Sequence, residues 1–361
     1  MSGASSGASS GASASAPTSA APITPRRVVV PAGGIGGARF LRGLLRATAG
    51  EPTEVTVIGN TGDDITLFGL RVCPDLDTVM YTLGGGIHEG QGWGRADETF
   101  VVRDELTAYG VGPAWFGLGD RDVATHVVRT QMLDAGYPLS AVTEALCTRW
   151  GLPELGVRLL PMSDDRVETH VVIDDPESSA GVAGRKAVHF QEYWVRLHAE
   201  PVAHQVVAVG AEQSRPAPGV VEAIAAADLV LLPPSNPVVS IGTVLAVPGV
   251  REALAATSAP VVGLSPLVGG APVRGMADKV LAAIGVAATA EAVAVHYGSR
   301  SEGGLLDGWL VDERDADAVA VVEAAGISCR AVPLLMPDVE QAAAMARSAL
   351  ALAGALRPHA A

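Results

Sequence analysis

Lysine is almost missing from this chain: Lys186 and Lys279 stand against 23 arginines. Alongside heavy use of alanine, glycine and valine, that scarcity reads as the bias of a GC-rich genome rather than a functional choice. No glycine-rich turn is followed by a Lys-Ser/Thr pair, which excludes a P-loop. Cysteine is nearly as rare. Cys73, Cys147 and Cys329 share no short spacing, so neither a disulfide framework nor a zinc site is expected, and a reducing cytoplasm is. No apolar run reaches membrane-spanning length. The start, "MSGASSGASSGASASAPTSAAP", has neither the basic opening nor the apolar centre of a secretory signal, and residues 1–25 read as a disordered tail. Positive charge is short too: 25 basic against 39 acidic residues, a net charge of −14. That balance excludes nucleic acid and an anionic membrane as partners, since both need a clustered basic surface.

What the chain does have is material for a core. Over 361 residues, 48% are apolar and 18% charged, enough for one large soluble domain or two ordinary ones. If an acidic chain of this kind binds phosphate, backbone amides, a few arginines or a divalent cation must attract it.

"RRVVVPAG" (26–33) reads as a buried strand, followed by a tight turn and a helix to about residue 48, and "EVTVIGN" (54–60) as a second strand. Strand, helix and strand in so short a span make a βαβ unit, which predicts a parallel sheet with helices on both faces. The pattern returns at "AADLVLLPPSN" (226–236), "APVVGLSPLVGG" (259–270), "GWLVDE" (308–313) and "SCRAVPLL" (328–335), and a final helix is expected from Pro337. Between 88 and 210 the alternation weakens. Helical patterns dominate 97–150, short strands are expected near 167–173 and 202–210, and the segment reads as an inserted subdomain over the carboxyl edge of the sheet. The division is thus a core of about 26–87 and 205–361 with an insertion of about 88–204.

Four elements carry chemistry. In "GGIGGARF", Gly33, Gly34, Gly36 and Gly37 allow close backbone approach to a ligand, and the following helix offers free N–H groups to an anion. A dinucleotide fingerprint needs glycine where Arg39 stands and an acidic residue where Asn60 stands, so NAD is disfavoured. The second element, "GNTGDD" with "CPDLDTV", brings Asn60, Thr61, Gly62, Asp63, Asp64, Asp75 and Asp77 into one stretch. In an extended segment Asp75-x-Asp77 would place both carboxylates on one side, where with Asp63 and Asp64 they could share a divalent metal; solvated turn aspartates are the plainer alternative. The third, "GWGRADETF" with "GLGDRDVATHVVRT", carries Arg95, Asp97, Glu98, Asp120, Asp122, His126 and Arg129; Asp120 or Asp122 could cap the helix, and His126 alone reads more readily as packing. The fourth, "LPPSNPVVS" with "GLSPLVGGAPVRG", sets Ser235, Asn236, Ser265, Gly269, Gly270 and Arg274 at two strand ends, a glycine-lined wall suited to a flat ring.

These blocks, in this order and with "LPMSDDRVETHV" and "FQEYWVR" between them, resemble the 2-phospho-L-lactate transferases of deazaflavin coenzyme F(420) biosynthesis, whose actinobacterial members act as phosphoenolpyruvate transferases. The resemblance runs from about residue 27 to the last helix, and the Gly-Gly-Ala-Arg turn is similar to the actinobacterial branch. It implies a Rossmann-like α/β domain, a mostly parallel sheet flanked by helices with a smaller, mainly helical inserted subdomain, paired as a homodimer. It also implies a Mg²⁺-dependent enzyme that passes an enolpyruvyl or lactyl phosphate from a guanosine diphosphate-linked donor to the primary ribityl hydroxyl of the deazaflavin Fo, releasing GMP. On that likeness, Gly33–Gly37 with Arg39 and the Asn60–Asp64 loop hold the diphosphate and metal. Asp77 contacts Fo near the reacting hydroxyl, and Asp77 or Asp64 orients or deprotonates it. Ser235, Asn236 and Ser265 line the substrate. One departure stands out: archaeal members contact Fo through a lysine at the position of Gly117, leaving Arg121 or Arg129 to substitute. The rival classes are a non-catalytic nucleotide-sugar-binding regulator with similar glycine turns, and an NAD-dependent dehydrogenase.

Overall fold

The computed structural model describes residues 23–175 and 184–356; most of the tail read over 1–25 lies outside them. Strands β1 (Arg27–Ala32) and β2 (Glu54–Gly59) pair in parallel around helix α1 (Gly34–Ala47). A short hairpin, β3 (Ile65–Leu67) with β4 (Leu70–Val72), leads into α2 (Pro74–Leu83). Helices α3 (Val101–Ala108), α4 (Asp120–Asp134) and α5 (Leu139–Arg149) precede β5 (Val157–Pro161). Next, β6 (Glu168–Asp174), β7 (Arg185–His189) and β8 (Gln205–Val209) form a separate antiparallel sheet in the order β7-β6-β8.

The second half alternates more regularly. It runs through α6 (Val220–Ala225), β9 (Leu229–Leu232), α7 (Ile241–Leu245), α8 (Val250–Ala256) and β10 (Val261–Leu264). A ribbon of β11 (Leu267–Val268) and β12 (Ala271–Pro272) follows, then α9 (Ala277–Ala283) and α10 (Ala290–Tyr297). The chain closes with β13 (Gly308–Val311), α11 (Ala318–Ala324), β14 (Ser328–Ala331) and α12 (Val339–Ala355). No helix among the described residues is long and apolar enough to cross a membrane.

Seven strands make one all-parallel sheet in the order β5-β2-β1-β9-β10-β13-β14. Both faces are covered, and the alternation of side chains shows how. Val28 and Val30 of β1 pack on one face with Phe40, Leu41 and Leu44 of α1, while Val29 turns to the other face with Val230 and Leu232 of β9. The strand order reverses between β1 and β9, and at such a switch point open α/β sheets leave a crevice beyond the carboxyl ends. The α/β class, the helix-flanked parallel sheet and the smaller helical part are as expected. The limits of the insertion differ in detail. Val157–Pro161, inside the segment read as inserted, is the edge strand of the main sheet, and Gln205–Val209, read as core, belongs to the small antiparallel sheet.

Candidate active site

The crevice is built from two loops locked together. Ser235 Oγ donates to Gly33 O at 2.8 Å and accepts from Gly33 N at 3.3 Å, tying the end of β9 to the turn after β1. The turn's glycines are packing requirements as much as ligand contacts. A Cβ on Gly36 would overlap the Pro234 carbonyl oxygen, and one on Gly37 would lie 2.6 Å from Ser235 Oγ. Gly34 has φ +64°, a conformation that glycine adopts without strain. Its N–H donates to Asp75 Oδ1 at 2.8 Å.

The reading of Asp75 and Asp77 as a pair on one side of an extended segment is overturned. Pro74 occupies the first turn of α2, a place where its missing N–H costs nothing, so the two aspartates sit on a helix. Positions two apart on a helix point to different sides. Asp75 turns to the glycine turn and to Asn60, whose Nδ2 donates to Oδ2 at 2.9 Å. Asp77 turns to α4, where the Arg129 guanidinium donates to its Oδ1.

After β2 the Asn60–Asp64 loop is folded under the sheet edge. Asn60 Oδ1 accepts from Gly62 N at 2.9 Å, and Gly62 O accepts from Thr169 N of β6 at 2.6 Å. Asp63 and Asp64 are buried, and Arg71 of the hairpin donates to Asp64 Oδ2 at 3.1 Å. Four buried atoms here have no partner: Thr61 Oγ1, Asp63 Oδ1, Asp64 Oδ1 and Asp77 Oδ2. The electrostatics record the same excess of negative charge. Burial, then the charges of Asp75 and Asp64, lift the Asp63 carboxyl well above its ordinary range. Burial pushes Asp64 and Asp75 up to about 6, against the opposing effects of Arg71 on the first and Asn60 on the second. Burial likewise raises Asp77 despite Arg129.

Sequence reasoning did not single out Arg71 or Tyr81, and took Asp122 as a possible cap, His126 as packing and Arg129 as a stand-in for the archaeal lysine; the structure brings all five together beside Asp64 and Asp77. Arg129 is fully buried; beyond Asp77 it reaches His126 Nδ1 at 3.0 Å and Arg71 O at 3.3 Å. Tyr81 OH donates to Asp122 Oδ1 at 2.6 Å, and Asp122 Oδ2 lies 3.4 Å from His126 Nε2. Burial opposes the Asp122 charge, but His126 and Tyr81 outweigh it and hold that carboxyl below its usual range. The spacing 122, 126 and 129 follows one face of a helix, a pattern legible in the sequence. Arg129, suggested as a stand-in for the archaeal lysine, is instead spent on Asp77.

Other expectations fall differently. Asp120 accepts from the N–H groups of Val101 and Val102, capping α3 rather than its own helix. Asn236 Oδ1 accepts from Val238 N and Val239 N, shaping its own loop. Ser265 is buried, with its hydroxyl closing its own turn on Leu267. Gly269 and Gly270, expected to line a ring wall, form the turn of the β11–β12 ribbon, with φ of +61° and +73°. Arg39 keeps a half-buried place beside Arg42 and Glu89 in a cavity of about 300 Å³. Burial and the nearby Arg274 and Arg42 charges lower its pKa, as expected where positive charge is in local surplus. A second cavity of about 280 Å³ reaches Asp122 and is lined by Trp93, Arg95, Glu98, Phe100 and Gly117, among others.

Comparison with known proteins gives the family of the chain. The family profile of 2-phospho-L-lactate transferase CofD matches residues 28–349. A phosphoenolpyruvate transferase of Kitasatospora aureofaciens is 71% identical over 331 residues, 92% of this chain and 99% of its own. That of Streptomyces avermitilis is 72% identical over 332 residues with the same coverage, and one from Mycobacterium sp. (strain JLS) is 56% identical over 339, covering 91% and 99%. Among solved structures, protein BH3568 of Bacillus halodurans shares the fold at a TM-score of 0.56 and 18% identity, over 90% of this chain and 99% of that one. The chain belongs to the 2-phospho-L-lactate transferase CofD family, and it is a transferase.

Proposed function

We propose that the protein transfers a phosphoenolpyruvyl, or 2-phospholactyl, group from a guanosine diphosphate-linked donor to the primary ribityl hydroxyl of the deazaflavin Fo, releasing GMP, in coenzyme F(420) biosynthesis. The observation that carries the reading is the pair Asp64 and Asp77. Each has one oxygen on an arginine and the other unpartnered and buried, beside the crevice where such folds bind ligands. The resemblance takes the reading further, to a cytoplasmic homodimer.

In the reaction, the ribityl oxygen attacks the phosphorus that bears the acid, and the P–O bond to GMP breaks. Asp77 receives the hydroxyl proton, and its burial makes it a better base than an exposed carboxylate. The N-terminal turn of α1 is the kind of place where open α/β folds take phosphates, and Arg39, with the charges of Arg274 and Arg42 close to it, adds positive charge to that helix. Positioning of this kind supplies most of the rate in phosphoryl transfer.

The resemblance implies a Mg²⁺ ion, and what supports a place for it is oxygen left unpartnered in the acidic loop. Thr61 Oγ1, Asp63 Oδ1 and Asp64 Oδ1 are buried and unpartnered and would offer it oxygen ligands, whereas both oxygens of Asp75 are taken, by Gly34 N and Asn60 Nδ2. When bound there, the ion would neutralise charge on the donor's diphosphate. Asp77, turned to Arg129, serves the acceptor and not that set.

Mass spectrometry of the deazaflavin product tests the reading. The protein would be incubated with Fo, Mg²⁺ and the guanylylated forms of phosphoenolpyruvate and phospholactate. An adduct with equimolar GMP establishes the transfer, and its mass names the acid. No adduct, with a uridine sugar bound in preference to Fo and guanosine nucleotides, would favour the regulatory binding protein.

A further inference from the structure

We infer that Arg129 is the positioning residue that aims the acceptor-activating carboxylate of Asp77, and that His126, Asp122 and Tyr81 are the strut behind it; this rests on the transfer reading above. A guanidinium can only donate hydrogen bonds, so where Arg129 meets His126 at 3.0 Å the Nδ1 atom must accept. The ring hydrogen is thereby placed on Nε2, which faces Asp122 Oδ2 at 3.4 Å. Asp122 is in turn fixed by the Tyr81 hydroxyl at 2.6 Å. The chain of contacts runs from α2 through α4 and back to α2: Tyr81, Asp122, His126, Arg129, Asp77.

The far end of this chain is held by the Tyr81–Asp122 hydrogen bond and by the 3.4 Å approach of Asp122 to His126 Nε2, which has no hydrogen-bond partner, and the near end is open. Arg129 takes Asp77 Oδ1, while Oδ2 has no partner and lies 3.8 Å from His126 Nδ1, too far for a bond. Arg129 also donates to the backbone oxygen of Arg71, whose side chain holds Asp64. The two carboxylates therefore share one frame, and a shift in Arg129 would move both. The guanidinium already brings the positive charge that a cation among Asp77, Asp122 and His126 would supply, so these donors work as a framework and not as a metal site. A buried ion pair is often no more stabilising than apolar packing of the same volume, which leaves orientation as the stronger account of so large a buried arginine.

The test compares full-length wild type with Arg129→Lys, His126→Asn and His126→Gln, measuring kcat, KM for donor and acceptor, and Tm. Lysine keeps the charge but loses the fork that spans Asp77, His126 and Arg71. Arg129→Lys is expected to lower kcat about 100-fold while donor KM holds within about twofold, because a small misplacement of a reacting group costs about that much. Asparagine can place an acceptor where Nδ1 stands, whereas glutamine reaches toward the Nε2 position and leaves Arg129 without one. His126→Asn is therefore expected to keep roughly tenfold more kcat than His126→Gln at similar Tm. Equal kcat for the two His126 variants, or losses that follow Tm alone, would overturn the inference, and the His126 pair decides it even if Arg129→Lys does not fold. Variants that match a working wild type overturn this inference and spare the transfer reading. A wild type that transfers nothing removes both.

Discussion

Ser235 Oγ bonds both the N–H and the carbonyl of Gly33, across 202 positions of sequence, at 3.3 and 2.8 Å. This one hydroxyl joins the two strand ends that frame the crevice. Ser235→Ala leaves the Gly33 N–H buried and unpaired, and is expected to cost about 1–3 kcal/mol of stability. A denaturant melt would read that loss, and donor affinity should fall with it. An unchanged midpoint would mean that the loops are held by packing alone.

Gly36 packs α1 against the Pro234 carbonyl so closely that no Cβ fits. Gly36→Ala must push the two loops apart, at about 1–3 kcal/mol. A Tm equal to the wild type's, with donor KM unaltered, would show that the loop yields freely.

Gly117 is the reverse case. Its φ is not left-handed, and a Cβ there would meet only the Arg103 side chain at an ordinary 3.8 Å. Gly117→Lys should fold normally and present its ammonium to the cavity shared with Trp93, Phe100 and Asp122. The expected result is a lower KM for Fo with donor KM unchanged. A higher KM for Fo would place the acceptor elsewhere.

The acidic loop gives a pH dependence of defined sign. Asp64 and Asp75 have pKa values raised by burial to about 6, against a usual 3.8. The folded state therefore holds protons that the unfolded state has released, and stability without a cation should fall as pH rises from about 4 through about 6. Mg²⁺ held as proposed would need the deprotonated oxygens, so its stabilising effect should grow over the same interval. Thermal melts with and without Mg²⁺ at pH 5 and 7.5 would test this. A Mg²⁺-induced Tm shift that is equal at both pH values would contradict it.

The sheet was legible because apolar strands alternate with turn-bounded helices, and the glycine turn, the Asn60–Asp64 loop and the Pro-Pro-Ser-Asn loop all fall at strand ends as read. Two features escaped for physical reasons. Asp-x-Asp was read with the period of a strand, although Pro74 just before it marks a helix start, and that choice decides which side each carboxylate faces. The helical spacing of Asp122, His126 and Arg129 was legible, but their joining to Asp77, Tyr81 and Arg71 was not, because no spacing shows which element packs against that face. The burial of Arg129 is created by α2, the β3–β4 hairpin and α4 coming together, which is a tertiary event.

The most direct test of the central claim is the single-turnover rate of transfer to Fo by Asp77→Asn, with donor affinity and Tm measured beside it. Removing this charge strands Arg129 and should cost about 3–5 kcal/mol of stability, so the comparison is made at a temperature where the variant is folded. The account predicts a rate about 100- to 10,000-fold below wild type with donor affinity retained, the range for loss of a general base. A folded Asp77→Asn protein that transfers at the wild-type rate would contradict it.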